Sequence, residues 1–149
     1  MKFNLAIIGA TGAVGREILN ILYERKFPIK NIFPLASDKS VGKEVYFGDT
    51  KIKLGKLEKF DFSDIDFALM SAGSEVSKKF APLAAKKNCI VIDNSSAWRM
   101  NPEVPLIVPE VNSSALESLN NKRIIANPNC STAQLVVALK PLHDEANIK

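Results

Sequence analysis

A glycine-rich turn lies close to the first residue, between an apolar run and a helical pattern. It limits more than any other stretch which folds this chain can adopt. Residues 5–8 are all apolar, and glycines follow at positions 9, 12 and 15. Beyond them, Val14, Ile18, Ile21 and Leu22 recur at the spacing of one helical face. An apolar run that passes through glycines into a helix is typical of a buried parallel strand and its crossover helix.

The same alternation continues along the whole chain. Apolar runs predict strands at 31–36, 44–47, 51–54, 67–70, 89–93 and 123–126, with a further candidate at 105–108. The pattern of residues 75–87 predicts a helix that Pro82 kinks or restarts. The predicted fold is therefore α/β, a doubly wound, mostly parallel Rossmann-type sheet with helices on both faces, formed by one domain over residues 1–149.

Composition excludes several classes of function. The 149 residues are enough for one domain with a core, and 46% hydrophobic with 24% charged residues is ordinary for a globular protein. The net charge of +4 comes from scattered lysines, which favours a solvated surface over a nucleic-acid partner. Two cysteines, no secretory leader and no membrane-length apolar stretch predict a cytoplasmic protein without a disulfide framework. We expect no metal site.

The glycine turn predicts a phosphate site for a dinucleotide. One glycine permits a tight turn, one lets the backbone approach a pyrophosphate, and one allows helix and strand to pack closely. The pyrophosphate then lies at the helix N-terminus. The G-x-x-G-x-x-G spacing differs from the commoner G-x-G-x-x-G, so a turn without a ligand is the alternative.

The segment after the second predicted strand bears on which dinucleotide binds. Ser37, Lys39, Ser40 and Lys43 suit the 2′-phosphate of NADP, whereas Asp38 suits the ribose hydroxyl of NAD. We expect NADP, although an exposed polar loop fits the same composition.

Small residues end the strand at 67–70. Ser71, Ala72 and Gly73 would let a nicotinamide or ribose approach the backbone. The alternative is a plain strand-to-helix turn with Ser74 as the N-cap.

Cys130 is the candidate nucleophile. It lies between the strand at 123–126 and an apolar helical pattern, where unpaired backbone N–H groups favour a thiolate. A free cysteine is often a core residue, but Asn129, Ser131 and Thr132 are polar neighbours. Local context leaves both interpretations open for Cys130, whereas Cys89 lies in a buried strand and is most simply core.

Arg99 is a candidate anion ligand in the polar loop after the strand at 89–93. A guanidinium matches the geometry of phosphate or carboxylate. Local sequence alone favours a surface arginine packed on Trp98.

Together these motifs resemble the aspartate-semialdehyde dehydrogenase family. The matching stretches are Gly-Ala-Thr-Gly-Ala-Val-Gly at 9–15, Ser-Ala-Gly at 71–73, Asp-Asn-Ser-Ser-Ala-Trp-Arg at 93–99, Pro-Glu-Val-Asn at 109–112 and Asn-Pro-Asn-Cys-Ser-Thr at 127–132. The related N-acetyl-glutamyl-phosphate reductases carry a Gly-Cys-Tyr-Pro-Thr context that is absent here, and they are one alternative. A non-catalytic dinucleotide sensor is another.

The resemblance implies a reaction and roles for individual residues. Aspartyl phosphate is reduced with NADPH to aspartate semialdehyde and phosphate, in lysine, methionine and threonine synthesis, with Cys130 carrying the acyl group as a thioester. The pyrophosphate would be held by Thr11, Gly12, Ala13 and Val14, and the 2′-phosphate by Lys39 and Ser40. Arg99 would bind the substrate phosphate in a pocket that Asn94 and Asn129 line.

The family's acid/base histidine and carboxylate-binding arginine belong to a second domain, through which its members are usually oligomeric. Here the single histidine is His143, about 18 Å along a continuous helix from residue 131. The sequence therefore predicts the cofactor-binding half of a larger enzyme, weak in NADP binding and nearly inactive alone.

Overall fold

A computed structural model describes residues 1–40, 42–119 and 122–148, apart from the side chains of Lys39 and Ser118. The strands are β1 Phe3–Ile8, β2 Ile29–Ala36, β3 Glu44–Phe47, β4 Thr50–Lys53, β5 Gly55–Lys56, β6 Phe67–Met70, β7 Ile90–Asp93 and β8 Ile124–Ala126. The helices are α1 Ala13–Glu24, α2 Ser74–Lys86, α3 Pro109–Asn112 and α4 Cys130–Ala146.

Six strands form one parallel sheet in the order β5-β2-β1-β6-β7-β8, and β3 pairs with β4 in a separate antiparallel hairpin. The chain builds outward from β1 to one side and then crosses to β6 on the other. This is the strand order of the doubly wound dinucleotide-binding fold, and it places the topological switch point between β1 and β6. The fold class predicted from the sequence is confirmed.

Alternate residues of β1 enter two separate cores, as a parallel strand buried on both faces requires. Ala6 and Ile8 belong to a cluster that includes Phe80 of α2. Ile7 belongs to a second cluster with Leu19 of α1 and Val45 of the hairpin. The helices therefore cover both faces of the sheet.

Two expectations concerned local structure. One of the two outcomes expected at Pro82, a restart of the helix, does not occur: α2 runs through Pro82, because its buried residues Phe80, Ala81 and Ala84 anchor the turns on both sides against the core. The candidate strand at 105–108 is reduced to one bridge from Leu106 to Ala126, since α3 begins directly afterwards at Pro109.

Candidate active site

The glycine turn brings the carboxyl ends of β1 and β6 into close contact. Gly9 has φ +85°, and a Cβ there would lie 2.5 Å from the Ser71 carbonyl oxygen. A Cβ at Gly15 would lie 2.2 Å from the Gly9 carbonyl oxygen, so α1 packs directly on the turn. Gly12 is the N-cap of α1 and is exposed. Gly9 therefore permits the tight turn, and Gly12 leaves the helix N-terminus open to a ligand. Gly15 allows α1 to pack closely on the turn.

The N-terminus of α1 fits an anionic group. Its first turn carries no acidic residue, and no described side chain caps it. The first backbone N–H groups of a helix have no intrahelical partner, and the helix dipole favours negative charge there. Ala13 and Val14, which begin the helix, are exposed.

A cavity of about 390 Å³ lies at this edge of the sheet, within the range of ligand pockets. Six of the residues predicted to bind the cofactor line it, namely Gly9, Thr11, Gly12, Ser37, Ser71 and Ala72. Its lining also includes Leu57, Glu58, Val76 and Phe80, which the sequence pattern did not indicate. A polar, glycine-lined end and an apolar wall suit a nucleotide.

Gly73 adjoins this region without lining the cavity. It has φ +86°, is the N-cap of α2 and has open space where a Cβ would lie. The cap is therefore Gly73 and not Ser74, whose hydroxyl lies 3.0 Å from that of Ser96.

The segment after β2 forms a turn with polar side chains near the cavity. Residues Asp38–Ser40 make one 3-10 turn, in which the Ser40 N–H donates to the Ser37 carbonyl at 2.9 Å. Ser37 is exposed and Ser40 half-buried. Asp38 forms an ion pair with Lys56. The predicted phosphate ligand Lys39 has a side chain outside the described residues.

Cys130 is the first residue of α4 and is exposed, whereas Cys89 is fully buried. Burial raises the pKa of the Cys89 thiol to about 12. Asn129 is the N-cap of α4, and its Oδ1 accepts from the Ser131 N–H at 3.0 Å and from the Ser131 hydroxyl at 2.7 Å. The Cys130 thiol also points to Asn129 Oδ1, with Sγ 3.7 Å away. The core interpretation of Cys130 is wrong.

Arg99 connects the loop after β7 to the loop that carries Cys130. Its Nε donates to the Asn127 carbonyl and its Nη2 to the Asn94 carbonyl, both at 3.0 Å. The Asn127 amide donates to Asn94 Oδ1 at 2.7 Å, which closes the link. Trp98 turns away, packing on the core and donating to the Ser77 hydroxyl at 2.8 Å. Asn94 and Arg99 therefore contact the loop that carries Asn129 at Asn127.

A buried carboxylate beneath this loop was missed at the sequence level. Asp93 is fully buried at the end of β7, and its Oδ2 accepts from the Ser95 hydroxyl at 2.6 Å. The Ser95 oxygen in turn accepts from the Ala97 N–H at 3.1 Å. Among the described residues, Asp93 Oδ1 has no hydrogen-bond partner. The polar run that follows β7 was the only available signal.

The opposite edge of the sheet contains a larger and more open cavity of about 830 Å³. None of the predicted site residues lines it. Its lining includes charged side chains of both signs, namely Lys30, Asp64, Asp66, Lys87 and Arg123. Across the described ranges, no group of three or more His, Cys, Asp or Glu side chains could hold a metal ion. Nor does any helix in those ranges have the length and apolar character needed to cross a bilayer.

Residues 4–119 match the family model described as semialdehyde dehydrogenase, NAD binding domain. The chain belongs to this family. An aspartate-semialdehyde dehydrogenase of Rickettsia conorii is 57% identical over 99% of the chain, which covers 44% of that relative. The crystal structure of aspartate semialdehyde dehydrogenase II from Vibrio cholerae, complexed with ASA, superposes with a TM-score of 0.93 at 50% identity. It matches over 97% of this chain and 47% of that one.

A Candida albicans aspartate semialdehyde dehydrogenase with NADP has a TM-score of 0.77 at 24% identity over 97% of this chain and 48% of that one, a likeness of fold alone. The chain thus spans less than half the length of the Rickettsia conorii and Vibrio cholerae relatives.

Proposed function

We propose that this chain is the dinucleotide-binding and nucleophile-bearing part of an NADP-dependent aspartate-semialdehyde dehydrogenase in lysine, methionine and threonine synthesis. The observation that carries the proposal is the exposed Cys130 at the start of α4, at the same carboxyl edge of the sheet as the glycine-lined cavity. A nucleophile and a dinucleotide site at one edge suit the reduction of an acyl phosphate. The aspartate-semialdehyde dehydrogenases at 57% and 50% identity support the choice of substrate.

Different residues have different proposed roles in the reaction. The sulfur of Cys130 attacks the acyl carbon of aspartyl phosphate, a C–S bond forms, and the C–O bond to the phosphate breaks. Arg99, Asn94 and Asn129 are the proposed ligands of the substrate and its departing phosphate. NADPH, held by the proposed cofactor residues, would supply a hydride to the thioester carbon. The C–S bond then breaks, which releases aspartate semialdehyde and returns Cys130 as a free thiolate.

The proposed cofactor ligands lie in three segments: the glycine turn with the start of α1, the loop after β2, and the small residues after β6. These residues are Gly9, Thr11, Gly12, Ala13, Val14, Ser37, Lys39, Ser40, Ser71, Ala72 and Gly73. NADP is favoured over NAD because the loop after β2 offers hydroxyl and ammonium groups, and because its one acid, Asp38, is paired.

A second domain is proposed to supply the acid/base histidine, the carboxylate-binding arginine and the contacts between subunits. His143 lies in the last turn of α4, about 20 Å along the helix from Cys130, too far to exchange a proton with it. The cytoplasm is the proposed compartment, consistent with two free cysteines.

The proposal is tested by joining this chain to the second part of the Rickettsia conorii relative and measuring phosphate-dependent reduction of NADP+ with aspartate semialdehyde. We expect turnover by the joined protein, little or none by the chain alone, and a loss of about a thousandfold or more on Cys130→Ser. Turnover that survives Cys130→Ser would contradict the proposed chemistry. Robust turnover by the 149-residue chain alone would contradict the need for a second domain.

A further inference from the structure

The ion pair between Asp38 and Lys56 joins the loop after β2, the proposed site of the cofactor ribose, to the short strand β5. Asp38 follows the end of β2, the position from which an acid ordinarily binds the 2′-hydroxyl of NAD and disfavours a 2′-phosphate. Its side chain is 63% exposed and that of Lys56 is 32% exposed. Exposed pairs contribute little to stability, so the pairing matters more for the local charge than for the fold.

The sheet fixes the position of Lys56. Strand β5 pairs with β2 in parallel, with Lys56 opposite Ala36, two residues before Asp38. Gly55 permits this approach, since a Cβ there would lie 2.9 Å from Leu35 Cδ2. On the other side of Lys56, Leu57 is 4% exposed and anchors the chain in the core. The lysine is therefore held beside the loop by packed residues before and after it.

Without Lys56, two carboxylates would lie unneutralised near this end of the cavity. Glu58 lines the cavity together with Ser37 and Leu57. Asp38 follows the lining residue Ser37 in the chain, so without its partner it would add a second carboxylate beside the cavity. A 2′-phosphate is repelled by such a pair of acids, whereas a ribose 2′-hydroxyl can donate a hydrogen bond to one of them.

We propose that Lys56 is a specificity-determining residue, which makes this site accept a dinucleotide with a 2′-phosphate by neutralising Asp38. The inference rests on the proposed function, because it takes the cavity after β2 as the cofactor site. This neutralisation explains how a loop that contains an acid can bind the 2′-phosphate of NADP.

The test is a set of binding titrations with NADP+ and NAD+ by isothermal calorimetry on the protein joined to the second part of the Rickettsia conorii relative. The proteins compared are the wild type, Lys56→Met, Asp38→Asn and the double variant. The measured quantity is the Kd for NAD+ divided by the Kd for NADP+. Lys30→Met is the matched control, because it removes one positive charge from an exposed residue at the opposite edge of the sheet. Circular dichroism checks that each variant is folded.

We expect a wild-type ratio above one, a fall of about fivefold in Lys56→Met, and a rise in Asp38→Asn. The double variant should return to the wild-type ratio, since both charges are gone, and Lys30→Met should keep it. An unchanged ratio in Lys56→Met overturns the inference while leaving the proposed function intact. A double variant as low as Lys56→Met also overturns it, because the lysine would then act on the phosphate without Asp38. A wild type that prefers NAD+, or binds neither dinucleotide, overturns the NADP proposal and this inference with it.

Discussion

At the scale of single residues, the two cysteines differ in exposure and in chemistry. Cys130 is exposed at a helix start, and Cys89 is buried with its thiol pKa raised to about 12. Because the thiolate is the nucleophile, Cys89 stays a protonated and shielded thiol through neutral and mildly alkaline pH.

We therefore expect iodoacetamide to label Cys130 at least about tenfold faster than Cys89 at every pH from 7 to 10. Mass spectrometry of tryptic peptides measures both rates in one sample. Cys130→Ser is the control, and it should leave only the slow reaction. Equal labelling of both cysteines in the folded chain would contradict the assignment and favour a non-catalytic dinucleotide sensor.

Asp93 and Ser95 give a prediction about stability beneath the active-site loop. Ser95→Ala removes the hydroxyl that donates to a fully buried carboxylate and should cost about 3 kcal/mol. Asp93→Asn keeps an acceptor for that hydroxyl and should cost less, about 1–2 kcal/mol. Urea unfolding followed by circular dichroism measures both. If Asp93→Asn proved the more damaging change, the carboxylate would not depend on Ser95.

At the scale of elements, the contact between α1 and the glycine turn predicts different effects for two glycine substitutions. One should mainly reduce stability, and the other should mainly weaken cofactor binding. Gly15→Ala would place a Cβ 2.2 Å from the Gly9 carbonyl oxygen and 2.8 Å from the Ala10 Cα, both backbone atoms. We expect a loss of about 1–3 kcal/mol in the free energy of unfolding, despite the higher helix propensity of alanine.

Gly12→Ala is the matched variant, since its Cβ would meet only the Gly9 carbonyl oxygen at 3.4 Å. It should change stability less than Gly15→Ala but weaken NADP+ binding, because its methyl group occupies the approach to the helix N-terminus. Urea unfolding and calorimetric titration distinguish the two effects. An equal loss of stability in both variants would show that Gly12 is a packing residue.

At the scale of the whole molecule, α4 has no buried residue within this chain. Leu135 and Leu142 lie two turns apart on one side of it and are 57% and 59% exposed. We propose that this face packs against the proposed second domain.

Replacing Leu135 and Leu142 with Gln should change the unfolding free energy of this chain by less than about 0.5 kcal/mol per site, and should reduce self-association in analytical ultracentrifugation. Leu19→Ala, at a fully buried position, should cost about 2–5 kcal/mol and serves as the comparison. In the protein joined to a second domain, the same glutamines should be destabilising. A large cost in the chain alone would place this face in its own core.

The fold class, the glycine turn and the position of Cys130 between a strand and a helix could all be predicted from the sequence. These follow from patterns within a few residues, since apolar runs, glycine spacing and helical periodicity are set locally. The three roles of the glycines could be expected because backbone sterics fix what a glycine permits, but their assignment to Gly9, Gly12 and Gly15 came from the structure.

Only the tertiary structure decided the pairing of Asp38 with Lys56, the lining of the cavity by Leu57 and Phe80, and the burial of Asp93. Each depends on which strands become neighbours and in what register, and a strand as short as β5 gives no pattern to read. Helix α2 continues through Pro82 because burial of the residues beside it outweighs a local helix-breaking preference. In the sequence, Asp38 argued against NADP as the cofactor. In the structure, the pairing of β5 with β2 brings Lys56 beside this carboxylate.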